Sequence, residues 1–101
     1  MKAEYTVFED EVGYWFVPRA AEAAAIAAPV AHRKEAHPTK IAACRAALAD
    51  ALTQGATELH LHGMGATLGI KADAAAKGVK PYIYHPSITT KIAPFVRGKR
   101  A

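Results

Sequence analysis

His60 and His62 stand two residues apart at the end of an alternating stretch, TELHLH, and are followed at once by Gly63-Met64-Gly65 and a run with helical spacing. Three chemistries suit such a junction. Imidazoles two apart on a strand project from one face and can share a metal ion. A strand–Gly-x-Gly–helix turn can offer backbone N–H groups and the positive end of a helix dipole to a phosphate. The glycines can also do no more than turn a corner.

The metal reading needs further ligands, and His37, His85 and Glu58 are the candidates, in no recognised spacing. No metal set is therefore expected. A dinucleotide fingerprint requires a third glycine where Leu68 stands, with Gly69 one position late, and no Gly-Lys-Ser/Thr loop occurs. No cofactor is expected either. Cys44 falls on the apolar stripe of a helix, where it reads as a small core residue, and no nucleophile–base or paired-carboxylate constellation stands out. The chain reads as non-enzymatic, with no catalytic residues.

Polyanion binding remains. Lys71 lies just after the glycine turn, Lys40 opens the preceding helix, and Arg33 and Lys34 come shortly before it. Side by side, the two helix openings would join these cations and the Gly63–Gly65 turn into one phosphate-tracking edge. Arg97, Lys99 and Arg100 add a basic tail, residues 97–101. From the residues alone, this reading and that of ordinary solvated lysines beside a tight turn both stand.

The elements that must position these groups follow from periodicity. Residues 1–19 alternate around EDEVG as a β-hairpin, and residues 20–28 are an alanine-rich helix or linker. A short strand is expected after Pro29. Ile41, Cys44, Leu48, Ala51 and Leu52 recur at helical intervals until Gly55. TELHLH is a strand with Leu59 and Leu61 on one face, and Leu68, Ala72, Ala75 and Val79 mark a second helix closed by Gly78 and Pro81. YIYHPSITTKI suggests two strands meeting near His85-Pro86-Ser87. The expected fold is α/β (α+β): a two-layer sandwich with two helices on one face of a small mixed sheet, βαβαββ over 29–96, plus the N-terminal hairpin. The other sheet face must then be solvated or bind something.

Composition narrows the partners. A formal net charge of +4 favours polyanions over acidic proteins. One cysteine fits a reducing compartment, and neither a membrane span nor a signal-peptide core is apparent, so an intracellular, cytoplasmic or nuclear, protein with no membrane partner is expected.

The run IAACRAALADALTQGATELHLHGMGATLGIKADAAA, with His62-Gly63-Met64-Gly65 as its motif, resembles the Alba superfamily of small nucleic-acid-binding proteins. It is most similar to the Alba-like branch found in eukaryotic RNase P and RNase MRP. The resemblance implies a βαβαββ fold and an RNA- or DNA-binding, Alba-like module, RNA more than DNA, acting as a homo- or heterodimer or within a larger ribonucleoprotein. Arg33 or Lys34 would match its first-strand lysine. Separately, GYWFVPR followed by a helix and GATELHLHG is similar to small bacterial domains of unknown function with a Trp-containing hairpin. The alternative is accordingly a protein-interaction or structural module, in which an exposed ring among Tyr14, Trp15 and Phe16 anchors a partner.

Overall fold

The hairpin begins where alternation and turn chemistry place it. In a computed structural model of the chain, which describes residues 1–85, β1 (Lys2–Asp10) and β2 (Gly13–Pro18) pair antiparallel, with Val7 opposite Phe16. Asp10 turns the chain by accepting the Val12 N–H at 3.0 Å, and Gly13 takes a φ of 131°.

The hairpin is no appendage. Its first strand is an interior strand of a four-stranded sheet ordered β2-β1-β3-β4, where β3 is Glu58–His62 and β4 is Lys80–Tyr84. β1 pairs with β3 in parallel, Lys2 opposite Glu58 through Thr6 opposite His62, and β4 adds in parallel on the other side of β3. The chain is thus the expected mixed α/β sandwich, but the sheet draws two of its four strands, β1 and β2, from the N-terminal hairpin.

The strand expected after Pro29 is a helix instead. A turn of 3₁₀ helix at Arg19–Ala21 leads into α1 (Glu22–Ala27), and Pro29 opens α2 (Pro29–His32). Proline suits a first helical position, where its fixed φ is already helical and its missing N–H is not needed. The second strand of the expected C-terminal hairpin lies outside the described residues.

Two helices cover one sheet face. α3 (Lys40–Thr53) starts at Thr39, whose hydroxyl accepts the Ala42 N–H at 3.2 Å, a cap worth about 1 kcal/mol. Its buried face is mostly alanine, Ala43, Ala47 and Ala51 with Cys44 and Leu48, so the helix lies close to β2 and β1. Bulk comes from the sheet: Tyr5, Val7, Leu59 and Leu61 are 2% exposed or less. α4 (Ile70–Ala76) buries Ile70 and Ala74 against β4.

Both helices end in one device. Gly55 and Gly78 take φ of 74° and 75°. Ala56 N–H reaches back to Ala51 O at 3.1 Å, as Val79 N–H does to Ala74 O at 2.9 Å. These Schellman turns aim the chain into β3 and β4 and bury Ala56 and Val79 as the accompanying apolar contacts.

Trp15 and Val17, on the other side of the hairpin, form a small second core with Ala25 of α1, and Phe8 stacks on Trp15 at 4.6 Å. Asp10 ties it together, accepting from Trp15 Nε1 at 3.0 Å and pairing with Arg33, whose guanidinium lies 5.9 Å from the Trp15 ring centroid.

The exit from β3 is the tightest point. Gly63 has a φ of 108°, and a Cβ there would meet the Val7 carbonyl oxygen at 2.5 Å; a Cβ on Gly65 would collide with the Val7 side chain. Gly63→Ala is expected to cost about 3 kcal/mol or more, through both strain and collision. Gly55→Ala and Gly78→Ala face open space and should cost about 1 kcal/mol. Urea unfolding of the three variants checks this ordering, and equal losses would remove the collision with β1.

Candidate functional site

α3 and α4 take one face of the sheet and α1 a corner of the other. Thr6 is buried beneath Arg19, which donates to its hydroxyl at 3.3 Å, and Phe8 lies under Trp15. Among the described residues no helix packs on the rest of this face, which belongs to three parallel strands. Their registers set Lys2, Glu58 and Lys80 in one row, Glu4, His60 and Tyr82 in the next, and His62 beside Tyr84 in the last.

The aromatic rings of this face form one column across β3 and β4. Tyr82 and His60 stack with centroids 4.3 Å apart, His60 and Tyr84 are 5.7 Å apart, and Tyr84 and His62 are 4.4 Å apart; each pair is within 12° of parallel. Cross-strand neighbours at this spacing stack naturally because a strand side chain stands perpendicular to the sheet. Lys80 Nζ sits 5.6 Å from the Tyr82 centroid. Tyr84 is 42% exposed, whereas His60 is 7% exposed.

Hydrogen bonds hold the column upright. His60 Nε2 donates to Glu58 at 3.0 Å and its Nδ1 meets the Tyr84 hydroxyl at 2.9 Å, so a carboxylate, an imidazole and a phenol form one chain. His62 Nε2 donates to Glu4 at 2.5 Å. The hydrogen bond from His60 is the main cause holding Glu58 below its ordinary range, with the charges of His60 and Lys80 behind it. For Glu4, partial burial pushes upward, but the bond and charge of His62, then Lys2, outweigh it and the carboxyl also sits low.

The glycine junction has little left to offer a phosphate. Gly63 N–H donates to Tyr84 O at 3.1 Å, Gly65 N–H to Val7 O at 3.2 Å and Ala66 N–H to Gly63 O at 3.2 Å. α4 has seven residues, and the N–H groups of Ile70 and Lys71 already donate to Thr67 and Leu68. The close approach that the glycines permit is that of β1.

The cations proposed from sequence are distributed. Lys40 and Lys71 come to one end of the helical layer, where Gly69 lies against Ile41, and both are exposed. Arg33 is half-buried on Asp10, and Lys34 lies near the outer edge of β2 beside Phe16 and Asp50. Arg97, Lys99 and Arg100 lie outside the described residues. His37 pairs with Tyr14 through the backbone at the outer edge of β2, and His85 meets Ala66 O at 2.7 Å, so neither joins His60 and His62. Among the described residues no group of three or more His, Cys, Asp or Glu side chains could hold a metal. Cys44 is buried, its thiol pushed up by burial, and it donates to Gly65 O at 3.4 Å. Trp15, the ring turned away from the main core, is 2% exposed beneath α1 and so is not the exposed ring that the interaction reading expects. Tyr82 and Tyr84 are the residues that sequence reasoning passed over. Their alternation in KPYIYH was visible, but its meaning depends on β4 lying beside β3 in this register.

Charge is divided unevenly along the chain. Through His85 there are nine basic and nine acidic residues; after it come Lys91, Arg97, Lys99 and Arg100 and no acid. The whole excess of +4 therefore follows β4. No protein-family profile, curated protein or solved structure matches the chain. No described helix is long and apolar enough to cross a membrane.

The carboxylate–histidine pairs make stability depend on acid. Glu4 and Glu58 titrate below their ordinary 4.5 when folded, so their contribution is complete above about pH 4.5 and is lost as pH falls through the lowered folded values. The melting temperature should fall between about pH 5 and about pH 3, and Glu4→Gln should flatten part of that fall. Identical pH profiles for wild type and Glu4→Gln would remove the Glu4–His62 pair as a contributor.

Proposed function

We propose that this chain is a non-enzymatic nucleic-acid-binding module that takes single-stranded RNA on the uncovered face of its sheet. The observation that supports this best is the Tyr82–His60–Tyr84–His62 column, on a face flanked by Lys2 and Lys80 and on a strand that leads into the basic run. Aromatic side chains on an open sheet suit unpaired bases, because every base has a π-face and a duplex keeps its bases stacked inside.

The electrostatics argue for bases rather than phosphates at the centre of the face. Glu4 and Glu58 repel a phosphate backbone, while His62 and the tyrosine hydroxyls suit base edges and a 2′-hydroxyl. A base would extend the column beyond His62, which has an aromatic neighbour on one side only among the described residues. Phosphates would fall to Lys2, Lys80 and the basic run, with Lys40 and Lys71 at the neighbouring helix openings. Action as one member of a dimer or larger ribonucleoprotein, which the Alba resemblance implies, belongs to the same proposal.

Fluorescence anisotropy with single-stranded RNA, structured RNA and duplex DNA over a salt series tests it. Single-stranded RNA should bind best. Tyr84→Ala should weaken it roughly 5- to 100-fold, the worth of about one stacked base. Replacing Arg97, Lys99 and Arg100 with alanine should reduce the slope of log K against log salt by about 2. Absence of binding at low salt would overturn the function. Binding weakened only by Lys40→Ala with Lys71→Ala would move the contact surface to the helical edge.

A further inference from the structure

On the same side of the sheet as the ring column, the hairpin tip and α1–α2 enclose an apolar groove of about 280 Å³. Phe8, Trp15, Ala25 and Pro29 line it, together with Ile26 and Val30, which are 63% and 79% exposed. Aliphatic side chains that open beside a tryptophan and a phenylalanine leave apolar surface without a partner. Acidic residues also line it. Asp10 is occupied by Arg33 and Trp15, but Glu9 has only the Tyr14 hydroxyl, at 3.2 Å, and Glu11 has no ion-pair partner among the described residues.

We propose that the groove is the docking site of the chain's own segment 92–100, IAPFVRGKR. Three features of the segment and the groove agree. The first is composition: Ile92, Phe95 and Val96 precede Arg97, Lys99 and Arg100, an apolar stretch followed by three cations, opposite an apolar groove followed by Glu9 and Glu11. The second is size: the groove exceeds the roughly 150 Å³ that holds a benzene ring, so the Phe95 side chain fits within it. The third is reach. β1 and β4 run in the same direction, and Thr6 and Tyr84 share a row with His62 between them. Phe8 is therefore about 10 Å sideways and about 7 Å along from Tyr84, at the usual strand spacing and rise. Residues 86–91 can span up to roughly 20 Å. Tethering at such short range gives an effective concentration of order millimolar, enough for a weak contact to be populated.

The consequence is regulatory. Arg97, Lys99 and Arg100 cannot pair with Glu9 and Glu11 and with a polyanion at once, so a docked segment withholds most of the chain's positive excess. The docking itself stands on the groove and the segment and does not rest on the nucleic-acid reading.

Zero-length carbodiimide coupling of the full chain, read by peptide mass spectrometry on a mixture of ¹⁵N-labelled and unlabelled protein, tests it. Amide links from Lys99 to Glu9 or Glu11 within one chain are expected, falling several-fold in Phe95→Ala and, as an independent check from the other side, in Val30→Asn. Links no more frequent than those of Lys77 to the same glutamates would overturn the proposal. So would links indifferent to both substitutions, or links found only between labelled and unlabelled chains, which would make the occupant a second copy.

Discussion

The parallel pairing of β1 with β3 is the constraint on which the rest of the structure depends. It joins residues more than fifty positions apart, Lys2 with Glu58 and Thr6 with His62, and it sets the Val7 carbonyl where the chain must leave β3. Only residues without a side chain can pass there, which accounts for Gly63 and Gly65 more directly than any ligand does. β2 runs antiparallel and ends beside Tyr5, and the α1–α2 segment then carries the chain back to the hairpin tip, where Arg33 meets Asp10. From there the chain must return to the start of the sheet for β3 to run parallel to β1. α3 makes that journey on one face, α4 repeats it between β3 and β4, and among the described residues the other face carries only the small α1–α2 excursion.

Packing follows from the same arrangement. An alanine-faced helix contributes little burial of its own, so the sheet must supply the large side chains, and Tyr5, Leu59 and Leu61 do so from adjoining strands. Tyr5 also carries a polar link, donating to Asp50 at 2.6 Å and accepting from Gln54 at 3.1 Å, which fixes the end of α3 over β1. Burial first, then the bond to Asp50, drives its phenol well above the ordinary range, so it stays a donor throughout the accessible pH range. The second core around Trp15 is smaller, and its charged lock, Asp10 with Arg33, takes out of circulation a cation that composition alone counts as free.

What could be read from the sequence was what is local. The spacing of Ile41, Cys44 and Leu48 and the closing Gly55 specify α3, and the alternation of ELHLH puts both histidines on one face. Pairing was not readable, since nothing near Tyr5 says that its neighbour is Leu61. That one relation makes the first strand of the hairpin an interior strand of the sheet. The alanine-rich stretch 20–28 is helix rather than linker, a choice its faceless pattern left open, and after Pro29, where a strand was expected, the proline starts a second helix. The candidate site divided in the same way. His60 and His62 were placed by periodicity, whereas Tyr82 and Tyr84 acquire their role only from the β3–β4 register.

The side chains of the His60–His62 face are held in place by their own hydrogen bonds. Each imidazole is held by a carboxylate from its own or the adjacent strand, Glu58 for His60 and Glu4 for His62, and the phenol of Tyr84 closes the chain through His60. Side chains fixed in this way lose little further freedom on binding, so the ordering cost that usually offsets a flexible contact is already met by folding. The same carboxylates make the centre of the face a poor seat for phosphate, and the described residues as a whole carry no net charge to compensate. A column of near-parallel rings with carboxylates at its base favours one class of addition, a planar group that continues the stack. A polyanion whose bases remain paired inside a duplex cannot present such a group, and this physical asymmetry, more than the overall +4, is the ground on which we propose unpaired bases as the ligand of the face.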